Sequence, residues 1–405
     1  MKKQFILLIL TAGLMAIFNS CADKSKIRTL IITGQNNHNW KASSPVLKDI
    51  LDNSGLFTSE IMTTPEKGGD MSSFRPNFSK YKLVVLDYNG DSWPEKTRTD
   101  FVNWVRNGGG VVVYHASCMA FPEWKEYNEM IGLGGWGDRN EKDGPYVYYS
   151  RNELVTDTSA GPAGTHGERL EFEVRTRVKD HPVTKGLPSR WMHASDELYE
   201  KLRGPAKNMV VLATASAAPP MRGEGINRHE PMLLAITYEK GRIFSTLLGH
   251  ADEGGGPAME CAGFITTLLR GAEWAATGNV TQEVPFDFPT AAGVVLRPGF
   301  KEITLEETIA NLGTYDIPKS TKYFSHLQSL IRKSAGNPDK LLELEKAMTK
   351  VLTSSESTAE SKKLILRELS WMGSDYCIPA VKNLLSVEEL KDEATFALQR
   401  LGKSE

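Results

Sequence analysis

Short apolar runs alternate with amphipathic stretches through the first part of the chain. An apolar run that stops at a glycine, as in 28–34, is typical of a buried parallel strand. The stretch after it predicts a helix that Ser43 or Ser44 caps and Gly55 ends. Because this pattern recurs, we expect an α/β domain with a doubly wound, mostly parallel sheet. The predicted strands cover 28–34, 81–87, 111–115, 209–213, 232–238 and 242–248, and a helix over 257–276 follows them.

The pattern changes after a segment rich in proline. Residues 281–300 contain Pro285, Pro289 and Pro298, which interrupt any periodicity and indicate a linker. Beyond it, residues 301–405 show no convincing strand, so we expect an all-α helical-repeat domain of HEAT-like pairs. The amphipathic stretches lie near 319–334, 338–353, 357–371, 374–385 and 387–401.

The first 21 residues have the character of a leader. Two lysines precede an apolar run over 5–18, which is shorter than the roughly 20 residues of a membrane-spanning helix. The run ends close to Cys21, and polar residues follow, which resembles a bacterial lipoprotein signal with a lipidated cysteine. We therefore expect a lipid anchor at Cys21 and a location in the cell envelope, either periplasmic or surface-exposed. An ordinary secreted protein is the alternative.

Charge and cysteine content exclude several classes of protein. The chain has 48 Lys and Arg against 50 Asp and Glu, a formal charge of −2, so electrostatic attraction to nucleic acid is not expected. Four cysteines in 405 residues exclude a disulfide scaffold, and no pair is spaced as in a zinc finger. We expect Cys118, Cys261 and Cys377 to be buried and structural.

Polar side chains follow several of the predicted strands. His38 comes after the first, Asp87 and His115 end the next two, and His250 follows the last. Ligands of open parallel sheets bind beyond the carboxyl ends of the strands, so we expect at least two of these residues to share a pocket. Imidazoles and a carboxylate suit acid/base chemistry, and they also suit a divalent ion such as Zn²⁺. No HExxH spacing identifies metal ligands, so the sequence leaves the cofactor open.

Residues 27–280 resemble the ThuA-like (trehalose-utilisation) family. The resemblance rests on five segments in order and does not extend to the helical part. They are His38-Asn39-Trp40, the 108–116 stretch that ends in His115-Ala116, the 181–188 stretch that begins His181-Pro182, Asp196-Glu197-Leu198-Tyr199, and the 241–250 stretch that ends in Gly249-His250.

The resemblance implies a class I glutamine amidotransferase-like fold and a carbohydrate substrate. This family is associated with trehalose and related disaccharides through 3-keto intermediates. Asp196, Glu197 and Tyr199 belong to its matching segments and become candidate site residues, with His193 as a further contributor. Cys118 lies near the position of the amidotransferase nucleophile, but the Gly-x-Cys-x-Gly pattern is absent. We therefore do not expect covalent thiol catalysis.

The remaining candidates are aromatic residues and isolated histidines. Flat aromatic faces stack on sugar rings, so Trp40, Trp93, Trp136 and Tyr199 are candidate substrate-binding residues. We expect His181 to cap local structure or shape a substrate rim, and His166 and His229 to be exposed.

The leader and the strand-end residues, together with what the family resemblance implies, predict a lipoprotein that processes a 3-keto-sugar or a glycoside by acid/base or metal-assisted chemistry. Two alternatives remain: a non-catalytic carbohydrate-binding lipoprotein, and an assembly component that docks a protein partner on residues 301–405. The candidate catalytic residues are His38, Asp87, His115, Asp196, Glu197 and His250.

Overall fold

The structure is a computed structural model that describes residues 26–217, 228–285, 287–301, 303–317 and 322–402. The expected leader and Cys21 lie outside these residues. Among the described helices, none is both long and apolar enough to cross a membrane.

A nine-stranded mixed sheet forms the centre of the α/β domain, which confirms the predicted fold class. The strand order is β2-β1-β3-β4-β13-β12-β11-β8-β9. The first five strands of this order pair in parallel, and each later pairing is antiparallel. The sheet strands are β1 Ile27–Thr33, β2 Phe57–Thr63, β3 Leu83–Leu86, β4 Gly110–Tyr114, β8 Leu170–Thr176, β9 Arg190–Asp196, β11 Met209–Ala215, β12 Glu230–Tyr238 and β13 Gly241–Thr246.

Two small strand pairs lie outside this sheet. The hairpin of β5 Tyr146–Ser150 and β6 Glu153–Asp157 is one, and β7 Thr165–His166 with β10 Tyr199–Glu200 is the other. The hydrophobic pattern did not predict them, because short strands carry few alternating positions.

Helices cover the sheet. They are α1 Trp40–Asn53, α2 Glu95–Arg106, α3 Lys125–Ile131, α4 Gly256–Glu260 and α5 Ala262–Thr277. The single helix expected over 257–276 is in fact two, because Cys261 has an extended backbone between them.

Helix α1 begins earlier than predicted. Asn39 caps it by accepting the N–H of Ala42, so Ser43 and Ser44 lie inside the first turns. Both serines are buried, and their hydroxyls donate to the carboxylate of Asp87 at the end of β3. Because Asn39 caps the helix, the two serine hydroxyls are free to donate to the buried carboxylate of Asp87.

A second hydrophobic cluster belongs to the C-terminal helices, which confirms an all-α extension. Its arrangement as HEAT-like pairs stays a prediction. The sequence pattern missed the first helix of the series. The helices are α6 Leu305–Gly313, α7 Lys322–Lys333, α8 Pro338–Thr353, α9 Ala359–Met372, α10 Ile378–Asn383 and α11 Lys391–Arg400.

Helix α5 approaches β13 closely at one glycine. A Cβ on Gly271 would lie 2.1 Å from the ring of Phe244, whose side chain is fully buried. Only glycine allows this helix to lie so close to the strand that leads to His250.

We therefore expect Gly271→Ala to lower the free energy of unfolding by about 1–3 kcal/mol through overpacking. Gly313→Ala is the control, since its new Cβ would meet only Ser357 Oγ at 3.4 Å. Urea unfolding followed by tryptophan fluorescence measures both. Equal stability of the two variants would contradict this account of the α5–β13 packing.

Candidate metal centre

Four side chains from distant parts of the chain meet beyond the strand ends. His38 follows β1, His115 follows β4, His250 follows β13, and Glu197 follows β9. One ligand atom from each lies within 4.8 Å of the ligand atoms of the other three. The structure thus brings together three of the predicted histidines and one of the predicted acids.

The carboxylate of Glu197 is central to this cluster. Its Oε2 lies 3.1 Å from His38 Nε2, 3.2 Å from His250 Nδ1 and 3.6 Å from His115 Nε2. Ligands about 2.0–2.2 Å from a tetrahedral Zn²⁺ are separated by roughly 3.3–3.6 Å. The three distances are close to the edges of such a tetrahedron.

The tautomer of His115 is set by the backbone. Its Nδ1 lies 2.7 Å from the carbonyl oxygen of Leu247, which can only accept a hydrogen bond. Nδ1 therefore carries the proton, and in the neutral ring the lone pair of Nε2 points into the cluster. The backbone of His115 has φ 44°, a left-handed conformation that a non-glycine residue adopts only under strain, as is common at functional sites.

A network of amides sets the tautomer of His38. Asn89 Oδ1 accepts the backbone N–H of Asn37, so Asn89 Nδ2 donates to Asn37 Oδ1. Asn37 Oδ1 is therefore an acceptor, and His38 Nδ1 donates to it at 3.0 Å. In the neutral ring, the lone pair of His38 Nε2 faces Glu197.

The cluster consequently has acceptors on both sides. The neutral rings of His38 and His115 direct lone pairs toward a carboxylate, and the single proton of the Tyr199 hydroxyl can satisfy only one of them, so a positive charge among these acceptors is favourable. The buried Nδ1 of His250 has no partner with hydrogen-bond geometry, although it lies close to Glu197. This donor set fits a divalent cation.

The cluster also shifts the pKa values of its members. Burial alone would raise the pKa of Glu197, but contacts with the three imidazoles hold that pKa well below its usual range. Burial is the main cause that lowers the pKa of His38. Both shifts favour an ionised carboxylate beside neutral imidazole, the forms that ligate metals.

Tyr199 lies beneath the cluster. Its ring stacks on His115 with centroids 4.6 Å apart, and its hydroxyl is 3.0 Å from His115 Nε2 and 3.3 Å from His38 Nε2. The side chain is fully buried and does not line the cavity. Its predicted place in a substrate-binding surface is therefore wrong, because Tyr199 instead supports the imidazoles from below.

A cavity of about 560 Å³ opens above the cluster, a size suited to small-molecule ligands. Trp136 is the predicted aromatic residue that lines it. Most of the rim could not be predicted from the sequence, although Asp252 and Glu253 follow His250 in the same loop. The cavity also contains Asn37, Asn39, Met119, His166 and Ala251.

Several candidate residues lie outside this cavity. Trp93 is 1% exposed and packs in an aromatic core against Phe101 and Trp124, so a substrate cannot reach it. Trp40 begins α1 and is not among the lining residues. Aromatic residues in loops are as often core as surface, and the sequence alone did not separate the two cases.

Two of the candidate acids do not line the cavity. Asp87 is fully buried and accepts hydrogen bonds from Ser43, Ser44 and Asn36. Asp196 is also fully buried, and its partners include His193. Neither carboxylate lines the cavity, so neither is placed to touch a ligand there, and a catalytic role for either stays a prediction.

The other histidines and the cysteines are also placed. His166 is exposed as expected, whereas His229 is buried. His181 accepts the N–H of Val183, which agrees with a local capping role. Cys118, Cys261 and Cys377 are buried, and burial raises the pKa of the Cys118 thiol to about 12. A protonated, inaccessible thiol cannot act as a nucleophile.

Comparisons with known proteins agree with the resemblance seen in the sequence. Residues 28–275 match the family model ThuA, described as trehalose utilisation. The chain belongs to the ThuA family. Membership indicates a carbohydrate-related function. No curated protein matches the chain.

Solved structures include similar chains. A ThuA-like protein from Parabacteroides merdae ATCC 43184 is 53% identical, and the match covers 68% of this chain and 99% of that one with a TM-score of 0.66. A ThuA-like protein from Bacteroides uniformis ATCC 8492 is 18% identical over 65% of this chain and 97% of that one, with a TM-score of 0.43.

The buried Asp87 carboxylate gives a prediction about stability. Asp87→Ala leaves buried donors without an acceptor, so we expect the free energy of unfolding to fall by about 3 kcal/mol. Asp100→Ala is the control, because Asp100 forms an exposed ion pair with Lys96, and such pairs contribute less than about 1 kcal/mol. Chemical denaturation compares the two. A loss for Asp87→Ala no larger than that of the control would contradict the assigned network.

Proposed function

We propose that this ThuA-family protein is a metal-dependent enzyme that acts on a 3-keto-sugar or a glycoside. The observation that carries the proposal is the convergence of His38, His115, His250 and Glu197, in which the neutral rings of His38 and His115 both turn Nε2 toward the carboxylate. Three imidazoles and one carboxylate, with ligand atoms that all lie within 4.8 Å of one another, suit Zn²⁺.

The metal and the chain have separate tasks. The bound ion would act as a Lewis acid on a sugar carbonyl or hydroxyl oxygen. Trp136 offers an apolar face to the ring of the substrate, and the polar rim accepts its hydroxyl groups. The substrate would thus be oriented above the cluster.

The reaction proposed here begins with proton abstraction next to the sugar ketone. A carbonyl acidifies the neighbouring C–H bond, so a side-chain base takes this proton. The glycosidic C–O bond then breaks, and the leaving oxygen receives a proton. We place the acid/base group among His166, Asp252 and Glu253, which line the cavity outside the metal set.

The proposed compartment is the cell envelope. It is supported by the apolar run over 5–18 and by the cysteine at position 21. A lipid anchor there would hold the enzyme at a membrane where extracytoplasmic sugars arrive.

Metal binding tests the first part of the proposal. We expect about one Zn²⁺ per chain after equilibration with the ion and gel filtration, measured by elemental analysis. His115→Ala and His250→Ala should weaken binding by more than about 100-fold, beyond the effect of outer-shell changes.

His166→Ala is the matched control, because His166 lines the same cavity and is not a member of the cluster. It should retain the ion. A wild-type chain that takes up no ion, or a control that loses it equally, would refute the metal site.

Turnover tests the second part. We expect the zinc-loaded chain to convert members of a panel of 3-keto-glycosides, followed by NMR, and we expect both chelation and His115→Ala to abolish the conversion. Binding of these sugars without turnover would instead support the carbohydrate-binding alternative. If the chain neither binds nor converts these sugars, the proposed substrate class is excluded.

A further inference from the structure

Asp196 lies directly behind the metal cluster, at the end of β9, and its carboxylate is fully buried. Oδ1 accepts the backbone N–H of Glu197 at 2.7 Å and that of His250 at 3.0 Å. Oδ2 accepts the backbone N–H of Gly249 at 2.6 Å and the ring Nε2–H of His193 at 2.7 Å. Both oxygens are therefore saturated with donors.

Three of these donors belong to the backbone that carries cluster residues. Glu197 follows β9, whereas Gly249 and His250 follow β13, so one carboxylate joins two loops that are distant in sequence. Gly249 has φ 102°, and a Cβ there would lie 2.5 Å from Phe264. The backbone at this position is thus shaped to present its N–H to Asp196.

His193 holds the carboxylate from the other side. The ring is fully buried and also interacts with the thiol of Cys261, which directly precedes α5. Burial would lower the pKa of His193, but Cys261 and Asp196 together raise it to about 10. A protonated ring balances the charge of the buried carboxylate, which would otherwise be costly.

We propose that Asp196, backed by His193, is a positioning residue that fixes Glu197 and His250 as metal ligands. It touches neither the cavity nor a ligand atom, and it acts through backbone N–H groups. Outer-shell hydrogen bonds usually reach the ligand ring, whereas here they orient the chain on which the ligands stand. The expected effect on metal affinity rests on the proposed function, whereas the expected effect on hydrogen exchange of the backbone amides does not.

Asp196→Asn is the variant that tests this role. It keeps the shape of the side chain but replaces one acceptor oxygen with a donor, so at least one of the four donors loses its partner. We expect Co²⁺ affinity to fall about 10–100-fold and the visible spectrum of bound Co²⁺ to change. We also expect faster hydrogen exchange at the amides of Gly249 and His250.

Val102→Ala is the control for stability, because it removes a buried side chain from α2, and no hydrogen bond of this network involves α2. It should retain the Co²⁺ affinity, the spectrum and the protection of these amides. His193→Gln preserves a donor toward Asp196, so it should lose less affinity and less protection than His193→Ala. If Asp196→Asn does not fold, this pair of variants tests whether Asp196, held by His193, positions the two loops.

The outcomes separate the two proposals. If the wild-type chain binds no Co²⁺, the metal proposal fails, and the role of Asp196 is tested by hydrogen exchange at the backbone amides alone. Unchanged protection at Gly249 and His250 in Asp196→Asn would then overturn the positioning role. If the wild type binds Co²⁺ and Asp196→Asn shows the same affinity and spectrum, the positioning role is overturned while the metal site stands.

Discussion

Two neutral imidazole lone pairs that face the half-buried carboxylate of Glu197 repel it, and the geometry around His38, His115 and Glu197 depends on how that repulsion is relieved. A proton on each ring would relieve it at the cost of charged rings in a half-buried site. A divalent cation relieves it once for the whole cluster and satisfies His250 as well. The fixed tautomers of His38 and His115 therefore carry more information about this site than its residue composition does.

The fold brings these side chains together from the ends of both parallel and antiparallel strands. Parallel strands β1, β4 and β13 deliver their histidines to one edge, because all three run in the same direction. Glu197 arrives from β9, at the far end of the antiparallel half of the sheet. The buried carboxylate of Asp196 bridges these two halves, since its partners follow both β9 and β13.

The site residues that could be predicted from sequence are those at the end of a predicted strand, because that position determines the edge of the sheet at which they lie. His38, His115 and His250 follow apolar runs, so the edge they share could be inferred without coordinates. Glu197 could not be found in this way, because β9 was not predicted, and it became a candidate only through the family resemblance. Trp93 shows the opposite failure, since a tryptophan beside a proline in a loop carries no signal that separates a core ring from a surface ring.

Asp87 and Asp196 show why residue type at a strand end is not sufficient to assign a role. Both acids end a strand near the site and both are fully buried, but their partners differ. Asp87 receives only neutral hydroxyl and amide donors, and burial raises its pKa. Asp196 pairs with His193, and despite burial its pKa is lowered. The donors to Asp87 are side chains of Asn36, Ser43 and Ser44, so this acid joins α1 and the loop before it to the end of β3. Asp196 instead accepts backbone N–H groups that follow both β9 and β13, so the source of the donors decides which buried acid supports the site.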